Sequence, residues 1–366
     1  MQSKHNLRSL AILLPALAAG ILICVVLALA AGAGPLDLAE TIWTGAWGST
    51  EAVVNTLSKM TPLMLTALAV TLAYRAGLLN IGCEGQLTLG ALVAATVARI
   101  ASPLPPFLLL PLTLACGAAA GGIWAWPAAG LRQRRGVHEV ISTLLLNYVA
   151  IYLCSYLVSG PLSDGTSMGR TPPIPAGAEM PVVFRSGSLD LTPAPLIALV
   201  LSFVVCFWLS KTVWGFEARS VGANFEAAVN AGIDASKWQL RMFILSGALA
   251  GLAGAFEISA VHHRFYRSFS PGYGFDGLTA AFLADCSPGW LWLSTLFLAS
   301  LRSADKWLQI GLNLSPNFIL VAQAVLLLSV AARNGIYRWF DRVVSRFRKS
   351  EAEDEAVVRS DFADSR

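Results

Sequence analysis

Charge is what this sequence has least of. Asp, Glu, Lys and Arg make up 13% of its 366 residues, against roughly 25% in an ordinary soluble domain, and that shortfall excludes a water-soluble globular protein. The six cysteines (Cys24, Cys83, Cys116, Cys154, Cys206 and Cys286) lie scattered, mostly inside apolar stretches. They form no CxxC pair and have no neighbouring histidine, so neither a metal site nor a disulfide framework is expected. The phosphate loop GxxxxGKS/T is absent, so this chain is not itself an ATPase and is expected to bind no cofactor of its own. No Ser/His/Asp or Cys/His set stands at a spacing that supports nucleophilic catalysis. The adjacent pairs His138 with Glu139 and His262 with His263 fall at the ends of apolar stretches without matching partners.

Hydrocarbon is what it has most of. Apolar residues reach 55% and the mean hydropathy is +0.62, with runs of about 20 apolar residues, the length that crosses a core of roughly 30 Å. The chain reads as an all-α polytopic membrane protein whose surroundings are lipid bilayer. Lys4 and Arg8 precede the apolar run from Leu10 to Ala31 in the manner of a secretory signal. That run exceeds a typical signal core and many spans follow, so it reads as a retained first helix. The net charge of +4 does not point to nucleic acid, because the cations gather in particular loops. Arg132, Arg134 and Arg135 form one group; Lys211, Arg219, Lys237 and Arg241 a second; Arg333, Arg338, Arg342, Arg346, Arg348 and Lys349 a third. Lys and Arg accumulate on the cytoplasmic side, so both termini are read as cytoplasmic. About ten spans follow, near 10–31, 54–74, 77–98, 107–130, 139–159, 193–210, 241–261, 276–286, 288–301 and 316–332. The eighth is a half or broken helix, since about 11 residues rise only about 16 Å. Arg264 and Arg267 fall on the outer side in this scheme, against the charge rule.

Residues 1–349 are read as one transmembrane domain, with an external loop at 160–192 and a cytoplasmic loop at 211–240. Pro161, Pro172, Pro173, Pro175 and Pro181 forbid long helix in the first of these, which reads as an ordered cap or a docking surface for a partner. The tail at 350–366 is acidic, poor in apolar residues and expected to be disordered. Gly117 with Gly121, and Gly247 with Gly251, have the spacing that lets membrane helices approach closely. Contact within one subunit is the expected use.

The polar string Ala76 to Gly90 (AGLLNIGCEGQLTLG) places Asn80, Glu84 and Gln86 at the depth of the bilayer midplane. Polar groups there cost free energy and mark pathways or interhelical struts. Glycines at 77, 82, 85 and 90 are expected to weaken or interrupt the helix, as discontinuous transporter helices do. Both readings of Glu84, solute contact and strut, stay open. Asn147 and Glu257 are lone polar groups on long helices, for which packing is the simpler role. The segment Arg264 to Asp276 (RFYRSFSPGYGFD) carries Phe265, Tyr266, Phe269, Tyr273 and Phe275 into the short helix of Asp276. Its rings are either interfacial belt residues or a stacking face for a flat polar ring.

The cytoplasmic stretch from Lys211 to Arg241 is far more polar than a turn needs. Its segment from Asn224 to Ala231 reads as a short helix, with Asn224 as N-cap, Glu226 in the first turn and Gly232 as the stop. It projects Phe225 and Val229, and either seats in a partner's groove or lies on lipid.

At these residues a resemblance becomes specific. Glu226-Ala227-Ala228 followed by Gly232 resembles the EAA-type coupling loop of ABC transporter permeases, although the usual downstream Ile-x-Leu-Pro is absent. The strings AGLLNIGCEGQLTLGAL (76–92), HEVISTLLLNYVAIYL (138–153), VGANFEAAVNAGI (221–233) and GYGFDGLTAAFLA (272–284) are similar to the branched-chain amino acid and simple-sugar permease family, in particular its nucleoside-type members that work with a basic membrane lipoprotein. The resemblance runs from about 60 to 335. Where the family continues with Gly-Arg-Asn-Asn-Pro, this chain has Ala284, Asp285, Cys286, Ser287 and Pro288, which exchanges a cation for Asp285.

The resemblance implies a permease subunit of an ATP-driven importer in a bacterial-type plasma (inner) membrane, moving nucleosides or simple sugars by alternating access. A riboflavin-like ring compound is the alternative solute. It also implies three partners: a cytoplasmic ATPase, a second permease subunit and an extracytoplasmic solute-binding lipoprotein. Asn80, Glu84, Gln86, Asn147, Tyr273, Phe275 and Asp276 are expected to line the substrate pathway. Phe225, Glu226, Ala227, Ala228 and Gly232 are expected to couple to the ATPase. An ion-coupled secondary transporter would share the broken helices and midplane Glu84 but would not need the docking helix. An intramembrane enzyme would need a catalytic set that the sequence does not offer.

Overall fold

Residues 18–315 and 317–332 are described by the computed structural model. Two compact units compose it, one from the described residues within 1–36 and 314–366 and the other from residues 37–313. In the first, helix α1 is described over Ala18–Ala30 and α13 over Phe318–Ala331. They touch where the Cys24 thiol donates to the Ala322 carbonyl at 3.8 Å. The start of the first expected span, Lys4, Arg8, the cations from Arg333 to Lys349 and the acidic tail lie outside the described residues.

The larger unit is built on α3 (Thr50–Arg75), a helix apolar on all sides and buried along most of its length. Buried backbone away from water has to be satisfied internally, which is why the hydrocarbon-rich chain resolves into helices. Around α3 stand α2 (Pro35–Trp47), α4 (Cys83–Ile100), α5 (Pro106–Arg135), α6 (Glu139–Ser159), α7 (Ala194–Lys211), α8 (Val213–Ala223), α9 (Phe225–Asn230), α10 (Ala235–Glu257), α11 (Tyr273–Leu283) and α12 (Leu291–Leu312). A π-helical turn, Ile258–His262, continues α10. Five of these helices are long and apolar enough to cross a membrane: α3, α5, α6, α7 and α10 with its π turn; α1 and α2 taken together would make a sixth. The protein is therefore a multi-pass membrane protein.

The loops of this unit gather in two groups. In one the Arg132 guanidinium pairs with Glu139, the Gln133 amide bonds the Ser236 carbonyl, and Gly222 lies against the Arg75 carbonyl. Arg132, Arg134 and Arg135 end α5 there, and Lys211 ends α7. In the other the Thr171 N–H donates to the Phe265 carbonyl and the Ile174 N–H to the His263 carbonyl, both at 2.8 Å. The proline-rich segment makes no long helix, as expected. It contributes a short antiparallel hairpin, β1 (Phe184–Ser186) with β2 (Leu189–Leu191), which the sequence reading did not include. In the same segment the Thr166 hydroxyl and backbone N–H, together with Arg170, hold the Asp164 carboxyl down at about 2.

Both paired-glycine spacings are spent on one crossing inside the subunit. A Cβ at Gly121 would stand 2.2 Å from the Gly247 carbonyl oxygen, and one at Gly251 would stand 2.4 Å from that of Gly117, so α5 and α10 meet backbone to backbone.

Several boundaries move. The third span starts at Cys83 rather than 77, and Gly85 and Gly90 lie within regular helix instead of interrupting it. Their small size serves close approach: a Cβ at Gly90 would stand 2.4 Å from the Gly251 carbonyl oxygen. The seventh span begins at Ala235 because the Asp234 side chain caps it. The ninth runs on to Leu312 instead of stopping at 301, since the charge at Arg302 finds a buried partner. Helices α2 and α8 were not expected at all.

Candidate functional site

The backbone leaves the helix at the polar string. Gly77 takes a left-handed φ of 76°, and residues 78–82 run without helix until α4 resumes at Cys83. Unpaired amides at this depth would each cost about 1–3 kcal/mol, and side chains take them up. Asn80 Oδ1 accepts the Gly82 N–H at 2.9 Å. Asn147 of α6 accepts the Gly85 N–H at 2.8 Å and donates to the Ile81 carbonyl at 2.8 Å. The Asn80 amide donates to Gln86 Oε1 and to Ser246 Oγ, each at 2.9 Å, and the Ser246 hydroxyl passes the chain on to the Ala69 carbonyl at 2.6 Å. Asn80, Gln86 and Asn147 are buried.

Glu84 joins two helix starts. Its Oε2 accepts the Gly274 N–H at 2.7 Å, and the Ser270 side chain bonds it as well. Gly274 lies in the first turn of α11, so the carboxyl group of Glu84 sits at the positive end of that helix dipole. The helix has 11 residues, too few to cross alone, in line with the half-helix expected there.

In the same first turn of α11, Asp276 pairs with Arg302 of α12 at 2.7 Å, and both side chains are at least nine-tenths buried. Arg302 also donates to the Pro271 carbonyl at 3.2 Å, and the Lys59 ammonium donates to the Arg302 carbonyl at 2.7 Å. Neither Arg302 nor Lys59 entered the sequence reading, although a cation inside an apolar helix was the available signal. The Tyr273 carbonyl accepts the Thr66 hydroxyl at 3.0 Å. Asn80, Glu84, Gln86, Asn147, Tyr273 and Asp276 thus belong to a polar interior that ties α3, α4, α6, α10, α11 and α12 together. Phe275 stands apart, 39% exposed.

The rings ahead of α11 pack on one another. Phe265 and Phe269 stack with centroids 5.1 Å apart, Tyr266 meets Phe269 edge-on at 5.6 Å, and His262 meets both Tyr266 and Phe269 edge-on at 5.2 Å. Glu257, buried, approaches His262 Nε2 at 3.2 Å. Phe265 and Phe269 are almost fully enclosed, so they present neither a belt nor an open stacking face.

In the cation-rich loops, Asn224 caps α9 by accepting the Ala227 N–H at 3.0 Å. Gly232, at a φ of 83°, ends the turn, where the Ile233 N–H returns to the Ala228 carbonyl at 3.0 Å. The expected short helix is present as Phe225–Asn230. Ala228 is buried in a small core with Leu72, Ala76, Leu209, Val221, Trp238 and Met242. Phe225 and Val229 point away, 41% and 49% exposed. The core beneath α9 therefore contains Ala76, the first residue of the broken string.

The family model for the branched-chain amino acid transport system permease component matches residues 52–331. The guanosine ABC transporter permease protein NupP of Bacillus subtilis is 33% identical over 337 residues, covering 91% of this chain and 95% of that protein. A glucose ABC transporter permease protein of Haloferax volcanii is 38% identical over 303 residues, 79% and 77% of the two chains. The nucleoside ABC transporter permease protein NupB of Lactococcus lactis is 29% identical over 339 residues, 90% and 93%. The four motifs, the broken string and the short cytoplasmic helix all fall within the matched region, and the chain belongs to the branched-chain amino acid transport system permease component family, the membrane-embedded permease subunits of ABC transporters.

Proposed function

We propose that this permease imports neutral ring solutes, nucleosides or simple sugars, across a bacterial-type plasma membrane in ten crossings with both termini in the cytoplasm. Relatives named for guanosine, nucleosides and glucose support the solute class. Two permease subunits, alike or related, face each other around the pathway, a solute-binding lipoprotein delivers from outside, and an ATPase docks beneath.

The observation that carries the coupling is α9. Its exposed Phe225 and Val229 offer an apolar face to a partner groove, while buried Ala228 locks the helix to the ends of α3 and the start of α10. Force applied at Glu226, Ala227 and Gly232 reaches Ala76 and, through the backbone, Asn80 and Glu84. The hydrogen-bonded interior then carries the motion to α11 and α12. In this reading Asn80, Gln86, Asn147, Tyr273 and Asp276 shape the pathway, Glu84 and Phe275 stand nearest to it, and ATP is consumed by the partner.

The test is uptake of labelled guanosine, pentoses, glucose and riboflavin by cells with and without this chain, repeated with the partner ATPase inactivated. Accumulation of a nucleoside or sugar that needs both proteins is expected. Uptake that persists without the ATPase and collapses with the proton gradient would overturn the reading in favour of ion coupling.

A further inference from the structure

Three tyrosines stand on the outward face of α6 at helical spacing: Tyr148, Tyr152 and Tyr156, with 52%, 71% and 70% of their surface exposed. Residues four apart share a helix face, and these three rise about 12 Å along it. Tyr148 lies near the middle of the 21-residue span, too deep for an interfacial belt. None of the three hydroxyls bonds another described residue, and a phenol facing hydrocarbon would leave its hydroxyl unsatisfied. The next span along the chain presents no phenol: the exposed large residues of α7 are Leu196, Ile197, Val200, Phe203, Val204 and Phe207.

A second observation adjoins the first. A cavity of about 40 Å³ opens beside α6, lined by Ile151 and Ser155 of that helix, by Glu84 and Thr88 of α4, and by Ser268 and Ser270 over the enclosed rings of Phe265 and Phe269. Ser155 lies on the flank of the tyrosine face, three residues beyond Tyr152. The Ser155 and Ser268 hydroxyls bond no other described residue. The space suits one or two water-sized groups. Its one ionisable group, Glu84, is already held by Gly274.

We infer that the α6 face of Tyr148, Tyr152 and Tyr156, together with the hydroxyl-lined cavity at Ser155, is a solute-binding wall of the transport pathway, taking an uncharged ring that carries hydroxyl groups. The phenol faces stack or cover the ring, and the cavity accepts one of its hydroxyls in place of water. A nucleoside and a sugar share the hydroxylated ring; a flat base adds stacking that a sugar lacks. The inference rests on the transport reading above.

The experiment uses the whole transporter in membrane vesicles, its six native cysteines replaced, with single cysteines at Tyr148, Tyr152 and Tyr156 and a control at Phe207. The probe solute is whichever of labelled guanosine or glucose the cells accumulate; if they accumulate neither, it is the transport reading that fails. A water-soluble thiol reagent should modify Tyr148→Cys and Tyr152→Cys but not Phe207→Cys, and the probe solute should slow that modification. Labelling only by a lipid-soluble maleimide would place the face in lipid, and no labelling by either reagent would place it against another protein; each result overturns the inference. Water-soluble labelling that the accumulated solute does not slow overturns it as well. In parallel, Tyr152→Leu should raise the half-saturating solute concentration about tenfold, as loss of a ring contact does, while Tyr152→Phe stays within about twofold. Guanosine uptake should suffer more than glucose uptake where both are carried. Equal behaviour of both variants and the original would contradict the stacking role.

Discussion

Two stretches interrupt the hydrocarbon of this chain, and they point in opposite directions. Between Ala76 and Gly90 the polar side chains turn inward: Asn80 and Gln86 are buried, and Asn147 of α6, buried too, reaches in to serve the Gly85 N–H and the Ile81 carbonyl, with partner distances of 2.8–2.9 Å. Around α9 the polar backbone is capped just as fully, yet Phe225 and Val229 turn outward. Polarity inside the membrane serves here to hold a broken backbone in one shape, because an unmade hydrogen bond there costs more than a made one contributes. Exposed apolar surface on a helix already satisfied at both ends has the opposite meaning, since nothing in the subunit's own fold requires it. In the proposed coupling, the first region is a lock and the second a handle.

That contrast can be broken most directly at Asn147. Asn147→Leu leaves the Gly85 N–H and the Ile81 carbonyl without their partner, at about 1–3 kcal/mol for each group. A fall of several degrees or more in the melting temperature of the purified protein is expected, whatever happens to α9. Arg302→Met should be of similar size, about 3–5 kcal/mol, because it removes one member of a buried ion pair. Adding Asp276→Asn to it should recover part of the loss, which a double-mutant cycle would read.

Glu84 sharpens the comparison. Glu84→Gln keeps an oxygen for the Gly274 N–H, whereas Glu84→Ala removes it at about 1–3 kcal/mol. The expected order of melting temperature and of uptake is original, then Gln, then Ala. Equal loss in both variants would point to a role for the charge itself. At the handle, Ala227→Trp should change stability by less than about 0.5 kcal/mol, as exposed substitutions do, while abolishing uptake. Gly232→Val adds a strain of about 1–2 kcal/mol, since the position requires a positive φ.

The smallest effect belongs to the 160–192 segment. The folded Asp164 carboxyl sits near 2, below its unfolded value of about 3.9. The stability it contributes is therefore present above pH 4 and lost as pH falls toward 2. Melting temperatures between pH 5 and 7 should show no pH dependence from this group; Asp164→Asn should lower the curve slightly across that range, and the difference from the original should shrink below about pH 4 and vanish near pH 2.

Much of this was legible because local rules and burial agreed. The α6 boundaries, Glu139 to Ser159, follow from a mostly apolar run that begins at Glu139 and stops at Gly160, and α9 from an Asn cap and a Gly stop. The paired glycines of α5 and α10 were readable as a contact within the subunit because small residues at this spacing have few other uses in lipid. What the sequence hid were partners distant along the chain. Arg302 looked like the end of a span because its neutralising Asp276 lies 26 residues away, and Asn147 looked like a lone packing group because the amide it serves is 62 residues away. The tyrosines of α6 were hidden for a different reason: in a helix apolar on every side, periodicity does not say which face is buried. Only the packed neighbours separate Asn147 from Tyr148.

The measurement that bears most directly on the lock and the handle is a paired one on Ala227→Trp, reading ATPase co-purification and solute uptake from the same vesicles alongside the melting temperature. The account predicts loss of both with the melting temperature unchanged. Full uptake with the ATPase still bound would contradict it.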